Sequence, residues 1–338
     1  MTRSLVVMPN WVGDLVMAEP VLTALAAADR EVVVLARPAL ASLIELLPAV
    51  TSTVPLEADN SRTVAAMRQA GCDEAVILPN SFRSAWRPYR AGIPRRWGYQ
   101  SDLRSPLLKP AVRRPRHRKI HQTEDYADLL TAMDVPCPST WTPRLRLPPE
   151  ALEDGRRLVA RAGLETTDRP RVGLFPGAEF GPSKRWPWRN FAALAEAVYR
   201  RSGSARPVIL AGPKEVWLAV RVREESGDRH PVIGPDLDLG RFASVLAHLD
   251  LLVTNDSGPM HLAAALGVPC VALFGPTDPR RTRPAGDHHE VMYTDRWCSP
   301  CFRRRCPLVR HRCLRDIEVS AVFEACRRLL DGPASAPR

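Results

Sequence analysis

The sequence predicts an α/β protein of two domains, each built on a parallel sheet. Three observations lead there. Short apolar runs suited to buried strands alternate with helical patterns, which implies parallel pairing through right-handed crossovers. A chain of 338 residues is long enough for each half to bury its own core. Near the middle, Pro136–Pro149 is Pro-rich and reads as an interdomain linker, giving domains 1–149 and 150–338.

Leu5–Met8 is the first strand, followed by Pro9-Asn-Trp-Val-Gly-Asp14 and a helix to about Ala28. Val32–Ala36 is the second strand, and the alternation continues through Ala75–Leu78. In open parallel sheets ligands sit beyond the carboxyl ends of the strands, and Asp14 stands there, at the mouth of the first strand. An isolated Asp in that place is either a helix-starting carboxylate or a general base. From Asn80 to Lys119, basic residues alternate with Trp86, Tyr89, Trp97 and Tyr99, and Pro and Gly exclude a long regular helix. That stretch suits a solvated basic loop, a nucleic-acid contact by stacking and pairing, or an acceptor site for an anionic sugar lipid. No recognisable nucleic-acid module accompanies it.

Glu124–Met133 reads as a helix, and Ala151–Ala162 as an amphipathic helix leading into the second domain. Arg171–Phe175 is a strand opening onto a Gly-containing loop with Lys184, then a helix from Trp188. The loop lacks the G-K-[ST] ending of a Walker motif. Pro207–Leu210 is the next strand, and the acidic Glu215 after it is a candidate for ribose hydroxyls. Leu249–Thr254 leads into the turn Asn255–Gly258, where Asp256 and Ser257 can cap a helix over Met260–Leu266. Val268–Phe274 is the strand after it. A helix start with free N–H groups and small residues lets an anion approach the backbone. A last helix spans roughly Ser320–Leu330 before a disordered-looking tail.

The net charge of +11 implies an acidic partner: nucleic acid, an anionic membrane surface or a phosphorylated substrate. The excess of Arg over Lys and the 33 prolines look like high-GC coding bias, which discounts part of that charge. No apolar run approaches the roughly 18–20 residues needed to span a bilayer. The N-terminus runs directly into a strand with no signal-peptide pattern, so a cytoplasmic protein is expected. Eight cysteines in this length are not a secreted disulfide framework. Four of them, Cys298, Cys301, Cys306 and Cys313, follow C-x2-C-x4-C-x6-C, a density that suits a structural zinc site or free thiols on a basic loop.

Four separated stretches resemble one family. D-S-G-P-M-H-L-A-A-A-L-G-x-P-x-V-A-L-F-G-P-T, from Asp256, resembles the nucleotide-sugar signature of glycosyltransferase family 9, the bacterial heptosyltransferases. N-W-V-G-D-x-V-M-x-x-P-x-L is similar to its N-terminal motif, and P-G-A-E-F-G-P-x-K-R-W-P to the loop of its heptosyltransferase II members. N-S-F-R-S-A-x-x-P-x-x-A-G-I-P-x-R-x-G resembles the segment facing the acceptor in the same members. The resemblance implies the GT-B architecture: two Rossmann-like, doubly wound domains facing across a cleft, the N-terminal one for acceptor and the C-terminal one for nucleotide sugar. It implies inverting, metal-independent transfer of L-glycero-D-manno-heptose from ADP-heptose to a heptosyl-Kdo2-lipid A acceptor, with no cofactor. Asp14 would be the base, with Asn10, Gly13, Arg83, Arg90, Arg95 and Arg96 around the acceptor. Lys184 would meet the departing pyrophosphate, with Gly177, Glu215, Asp256, Ser257, Gly258 and His261 around the donor, and Thr277 and Asp278 closing the pattern. The expected setting is a monomer at the inner face of the cytoplasmic membrane, bound peripherally to its anionic lipid-linked oligosaccharide acceptor, with no nucleic-acid partner. Two other readings stand beside it: a family 9 enzyme for another sugar or acceptor, and a nucleotide-sensing protein that binds nucleic acid.

Overall fold

Six strands run through the first part of the chain: β1 (Thr2–Val7), β2 (Arg30–Ala36), β3 (Val50–Pro55), β4 (Glu74–Ile77), β5 (Arg95–Tyr99) and β6 (Ala111–Val112). Six follow in the second part: β7 (Arg171–Phe175), β8 (Arg206–Leu210), β9 (Val232–Ile233), β10 (Leu251–Asn255), β11 (Cys270–Phe274) and β12 (His289–Tyr293). This computed structural model describes residues 1–114, 120–165, 169–201, 205–308 and 311–331. Part of the basic run, 115–119, and the tail from 332 onward lie outside the described residues. The chain divides into two units, Met1–Arg146 and Leu147–Arg338.

The strands form two six-stranded sheets, ordered β3-β2-β1-β4-β5-β6 and β12-β11-β10-β7-β8-β9, with parallel neighbours throughout. Counted from its own first strand, each sheet has the doubly wound order 3-2-1-4-5-6. Each unit therefore has a point where the winding reverses, between β1 and β4 in the first and between β7 and β10 in the second. Ligands of such sheets bind beyond the carboxyl ends of those strands. Central strands covered on both faces must be apolar throughout, and β10 and β11 are buried at every position.

Local sequence explains the helices and where expectation missed. The stretch after β1 forms two helices, Val12–Met17 and Glu19–Ala27, because Pro20 favours the start of a new helix. Residues 122–132 begin as a 3₁₀ helix, Gln122–Tyr126, before the α-helix Ala127–Ala132. The basic stretch does contain a ten-residue helix, Phe82–Ala91, with Pro88 inside it. Ser81 caps its start, Gly92 ends it at φ 81°, and Ser84, Ala85 and Pro88 are buried. Packing of that face outweighs the proline penalty. The first core gathers Leu5, Val7, Val33, Leu35, Ala75 and Ile77 on one side of its sheet. The second gathers Leu174, Trp186, Phe191, Val253 and Leu273, and the last helix, Val319–Asp331, adds Val322 and Phe323 to it.

His289 on β12 yields a prediction about acid stability. Its Nδ1 accepts from the Cys270 backbone N–H at 3.2 Å, and Nε2 donates to the Ala285 carbonyl at 3.1 Å. The folded site holds neutral imidazole, and burial pulls its pKa down to about 4. An unfolded His titrates near ~6.5, so below that pH the unfolded chain binds a proton the native one refuses. Stability contributed here is present above about pH 6.5 and is lost as pH falls toward 4, by on the order of 2–3 kcal/mol. Urea unfolding across that window should show His289→Gln with a flatter profile than wild type; identical slopes would exclude His289 as a source.

Candidate active site

The decisive geometry of the second unit spans its winding reversal. After β7, the turn Pro182–Lys184 brings the Lys184 ammonium 2.5 Å from Asp256 Oδ2, just beyond the end of β10. Thr277, beyond β11, donates its hydroxyl to the same oxygen at 2.6 Å. The pair is largely withdrawn from water, with side-chain exposures of 13% for Lys184 and 5% for Asp256. Coulombic attraction is magnified in such a setting. Lys184 Nζ also stands 4.9 Å from the centre of the Phe180 ring. Buried Asn255 ties the two loops together: Oδ1 accepts from Trp186 N at 2.9 Å, and Nδ2 donates to the Pro176 and Gly177 carbonyls.

The capping expectation is corrected by the same contacts. The helix runs Gly258–Ala265 with Ser257 at its N-cap, yet no side chain caps it. The Asp256 carboxylate is taken by Lys184 and Thr277, and Ser257 Oγ lies 3.2 Å from Thr254 Oγ1. His261 is buried in this helix. Glu215 is buried too: Oε1 accepts from Ala178 N at 2.6 Å and from Arg185 at 3.1 Å. It braces the loop that contains Gly177, where a Cβ would lie 2.3 Å from Glu215 Oε2.

In the first unit, half-buried Asp14 sits in the first turn of the helix after β1. Gln122 Nε2 donates to Asp14 Oδ1 at 2.9 Å, from the 3₁₀ helix that also carries buried Tyr126. Burial, chiefly, raises the Tyr126 phenol pKa, with the Asp14 charge the second cause. Asn10 and Gly13 lie on the loop and first turn leading to Asp14, at the carboxyl edge of the sheet.

The four candidate arginines are not brought together. Arg95 and Arg96 open β5, so they lie at the opposite edge from Asp14, roughly 13 Å away by strand rise alone. There Arg95 approaches Glu74 at 3.8 Å, and Arg96 donates to the carbonyls of Ile93, Pro94 and Leu107. Buried Glu74, held also by Ser4, Arg30 and Trp97, anchors that edge. Arg90 ends the helix that starts near Arg83, about 10 Å further along it. Only Arg83 stands with Asp14 at the carboxyl edge. Two arginines not expected from the sequence join it: Arg37, just after β2, and Arg87, one turn beyond Arg83. Burial first, then the charges of Arg83 and Arg37, lower the Arg87 pKa, and its guanidinium donates to a neutral amide oxygen, Asn60 Oδ1, at 2.9 Å. Beneath them lies fully buried Arg104, which donates to Tyr99 O, Pro79 O, Ser84 Oγ and Asn80 Oδ1 and so fixes the turn leading to Arg83. Burial pulls the Arg104 pKa down to about 10.

Residues 61–311 match glycosyltransferase family 9 (heptosyltransferase). The chain belongs to that family. It is 31% identical to lipopolysaccharide heptosyltransferase 2 of Escherichia coli K12, over 97% of this chain and 98% of that protein. The solved structure of E. coli ADP-heptose lps heptosyltransferase II is 29% identical and superposes with a TM-score of 0.82 over 98% of both chains. A family 9 glycosyltransferase from Veillonella parvula, 23% identical, shares the fold with a TM-score of 0.85 over 98% of both chains. The paired Rossmann-like sheets are the GT-B architecture of these enzymes.

Within this family 9 chain, the cysteine segment departs from the zinc expectation. Among the described residues no group of three or more His, Cys, Asp or Glu is placed to hold a metal ion. Cys313 is buried, and its sulfur would stand 3.2 Å from a Cβ at Gly275. Cys306 instead turns to the Leu308 carbonyl of its own loop, at 3.0 Å. Burial first, and then Cys306, Cys298 and Cys301, push the Cys313 thiol pKa up to about 11.

Sequence reasoning passed over Gln122, Asn255, Arg37, Arg87 and Arg104. Gln122 and Asn255 pair with residues 108 and 69 positions away, which nothing in their neighbours signals. For Gly177 a direct test exists. Gly177→Ala should push the Glu215 carboxylate off Ala178 and Arg185, at about 1–3 kcal/mol of stability. In a Glu215→Ala background the same change should cost far less, as chemical denaturation of all four proteins would show. Equal costs in both backgrounds would refute the contact.

Proposed function

We propose that this chain is an inverting ADP-heptose-dependent heptosyltransferase of lipopolysaccharide inner-core synthesis, working without a metal on a heptosyl-Kdo2-lipid A acceptor. The observation that carries the reading is the full-length match to lipopolysaccharide heptosyltransferase 2. The chemistry at the two sheet edges supports it. Asp14, oriented by Gln122, takes the proton of the acceptor hydroxyl as its oxygen bonds to the anomeric carbon. The bond from that carbon to the diphosphate breaks with inversion, and ADP departs with the electron pair. Lys184 neutralises the growing charge on the diphosphate, with Thr277 and the uncapped start of the Gly258–Ala265 helix beside it. Asp256 holds the ammonium in place. Glu215 and Gly177 serve by shaping the donor loop, and Ser257, Gly258 and His261 by forming its helical wall.

Arg37, Arg83 and Arg87 receive the anionic groups of the acceptor in place of Arg90, Arg95 and Arg96. Like charges crowded together, with no carboxylate bonded to them among the described residues, favour an anionic ligand. Trp11 and Phe82, both half-exposed at this edge, offer faces for sugar rings. No helix among the described residues is long and apolar enough to cross a membrane. The net charge of +11 suits peripheral attachment to an anionic inner leaflet.

Mass spectrometry of heptosyl-Kdo2-lipid A incubated with ADP-heptose and the protein, with and without EDTA, tests the reaction. One added heptose in both tubes is expected. ADP-heptose binding without product would move the acceptor elsewhere, and product only without EDTA would overturn metal independence. Asp14→Asn should reduce transfer by roughly 10²–10⁴-fold while ADP affinity stays within about twofold. Turnover close to wild type in that variant removes Asp14 from the mechanism. Arg83→Ala should raise the acceptor KM about tenfold at low salt, with a smaller effect at high salt. An unchanged KM would take the arginine cluster out of acceptor binding.

A further inference from the structure

The described residues of the cysteine segment, 298–308 and 311–313, lie along the two loops that hold the Lys184–Asp256 pair. On one side they enclose Ser183, the residue before Lys184. Ser183 N donates to the Arg304 carbonyl at 3.3 Å, and Ser183 Oγ donates to the Arg303 carbonyl at 2.5 Å. His311 Nε2 donates to the Ser183 carbonyl at 2.5 Å. The N–H, the hydroxyl and the carbonyl of Ser183 are thus all bonded to this one segment, and Ser183 is 2% exposed. Gly181 permits the approach: a Cβ there would lie 2.6 Å from the Arg304 carbonyl oxygen. Arg304 and Lys184 both pack on the Phe180 ring, at 5.4 and 4.9 Å.

On the other side the segment reaches the loop that presents Thr277. Cys301 N and Phe302 N both donate to the Pro276 carbonyl, at 3.0 and 2.8 Å, and Ser299 Oγ donates to the Gly275 carbonyl. The residues immediately before Lys184 and before Thr277 are therefore fixed by the same stretch of chain. Lys184 and Thr277 in turn grip a single oxygen, Asp256 Oδ2.

We propose that residues 298–308, together with 311–313, are a strap that sets the position of Lys184 relative to Thr277, with Ser183 and His311 as its positioning residues for the donor diphosphate. Neither residue touches the donor; each acts through Lys184. His311 Nε2 faces a carbonyl oxygen, which can only accept, so this ring nitrogen carries the N–H. His311 adopts a left-handed backbone, φ 41°, which a non-glycine residue keeps only where its surroundings enforce it. The inference deepens the donor-site reading and rests on it.

Calorimetric titration of ADP separates the two. Wild type that binds no ADP overturns the donor site and the strap together. If wild type binds, His311→Ala should weaken ADP roughly tenfold, the scale of one misplaced charge-assisted hydrogen bond. His311→Gln, which keeps a side-chain N–H donor, should recover most of the affinity. The double variant His311→Ala/Lys184→Ala should bind no more weakly than Lys184→Ala alone, because the strap acts through Lys184. Unchanged affinity in His311→Ala, or losses that multiply in the double variant, would overturn the strap and leave the donor site standing. Should His311→Ala fail to fold, Ser183→Ala, which removes only the hydroxyl donor to Arg303, carries the same comparison with Lys184→Ala.

Discussion

The loops at the carboxyl edge of the second unit converge on the ion pair between Lys184 and Asp256. Two opposite charges, mostly out of water, stay paired only if their backbones are held firmly, since removing one partner of such a pair typically costs about 3–5 kcal/mol. The holding comes from several directions. Strands β7 and β10 lie side by side, so their carboxyl ends deliver both loops to one place. Asn255 stitches those loops with three hydrogen bonds, Thr277 shares the carboxylate oxygen, and buried Trp186 anchors the chain just after Lys184 through its indole bond to Ile317. A cation so restrained has little freedom left to reorganise.

The first unit repeats the winding of the second with different chemistry at the same edge. Its reversal between β1 and β4 presents a carboxylate, Asp14, with an amide partner, where the second unit presents a cation. At the carboxyl edge of the same unit the charges of Arg83 and Arg37 act on Arg87 and lower its pKa, after burial. Arg104 makes this arrangement rigid, because a buried guanidinium donating to four groups in neighbouring turns cannot relax without leaving polar atoms unsatisfied. One architecture, used twice, carries a carboxylate with an amide partner at the carboxyl edge of one unit and a paired ammonium at that of the other.

Much of this was legible in the sequence because it is local. The strand Arg171–Phe175 and the helix start at Trp188 match their expected limits, since apolar runs and turn residues mark both. The four motifs stand in order and identify the family. Other features were misread for reasons that are also physical. Pro88 argued against a helix, but its buried face, with Ser84 and Ala85, decided otherwise. Arg95 and Arg96 follow Arg83 by 12 and 13 residues, and the helix and strand start between them carry them to the far edge of the sheet. The cysteine spacing left a structural zinc site and free thiols both open; among the described residues no group is placed to hold a metal, Cys313 packs beside Gly275 and Cys306 faces its own loop.

By itself the sequence determined the α/β class, the two-domain division, the strand-and-turn frame around Asp14 and Lys184, and family membership, because periodicity, turn chemistry and motif order are read over short distances. Tertiary structure alone decided which charges meet. Lys184 and Asp256 are 72 positions apart, Gln122 and Asp14 are 108, and His311 and Ser183 are 128. Such pairings depend on strand order and on which edge a loop leaves from. Those are properties of the assembled sheet, and no run of neighbouring residues encodes them.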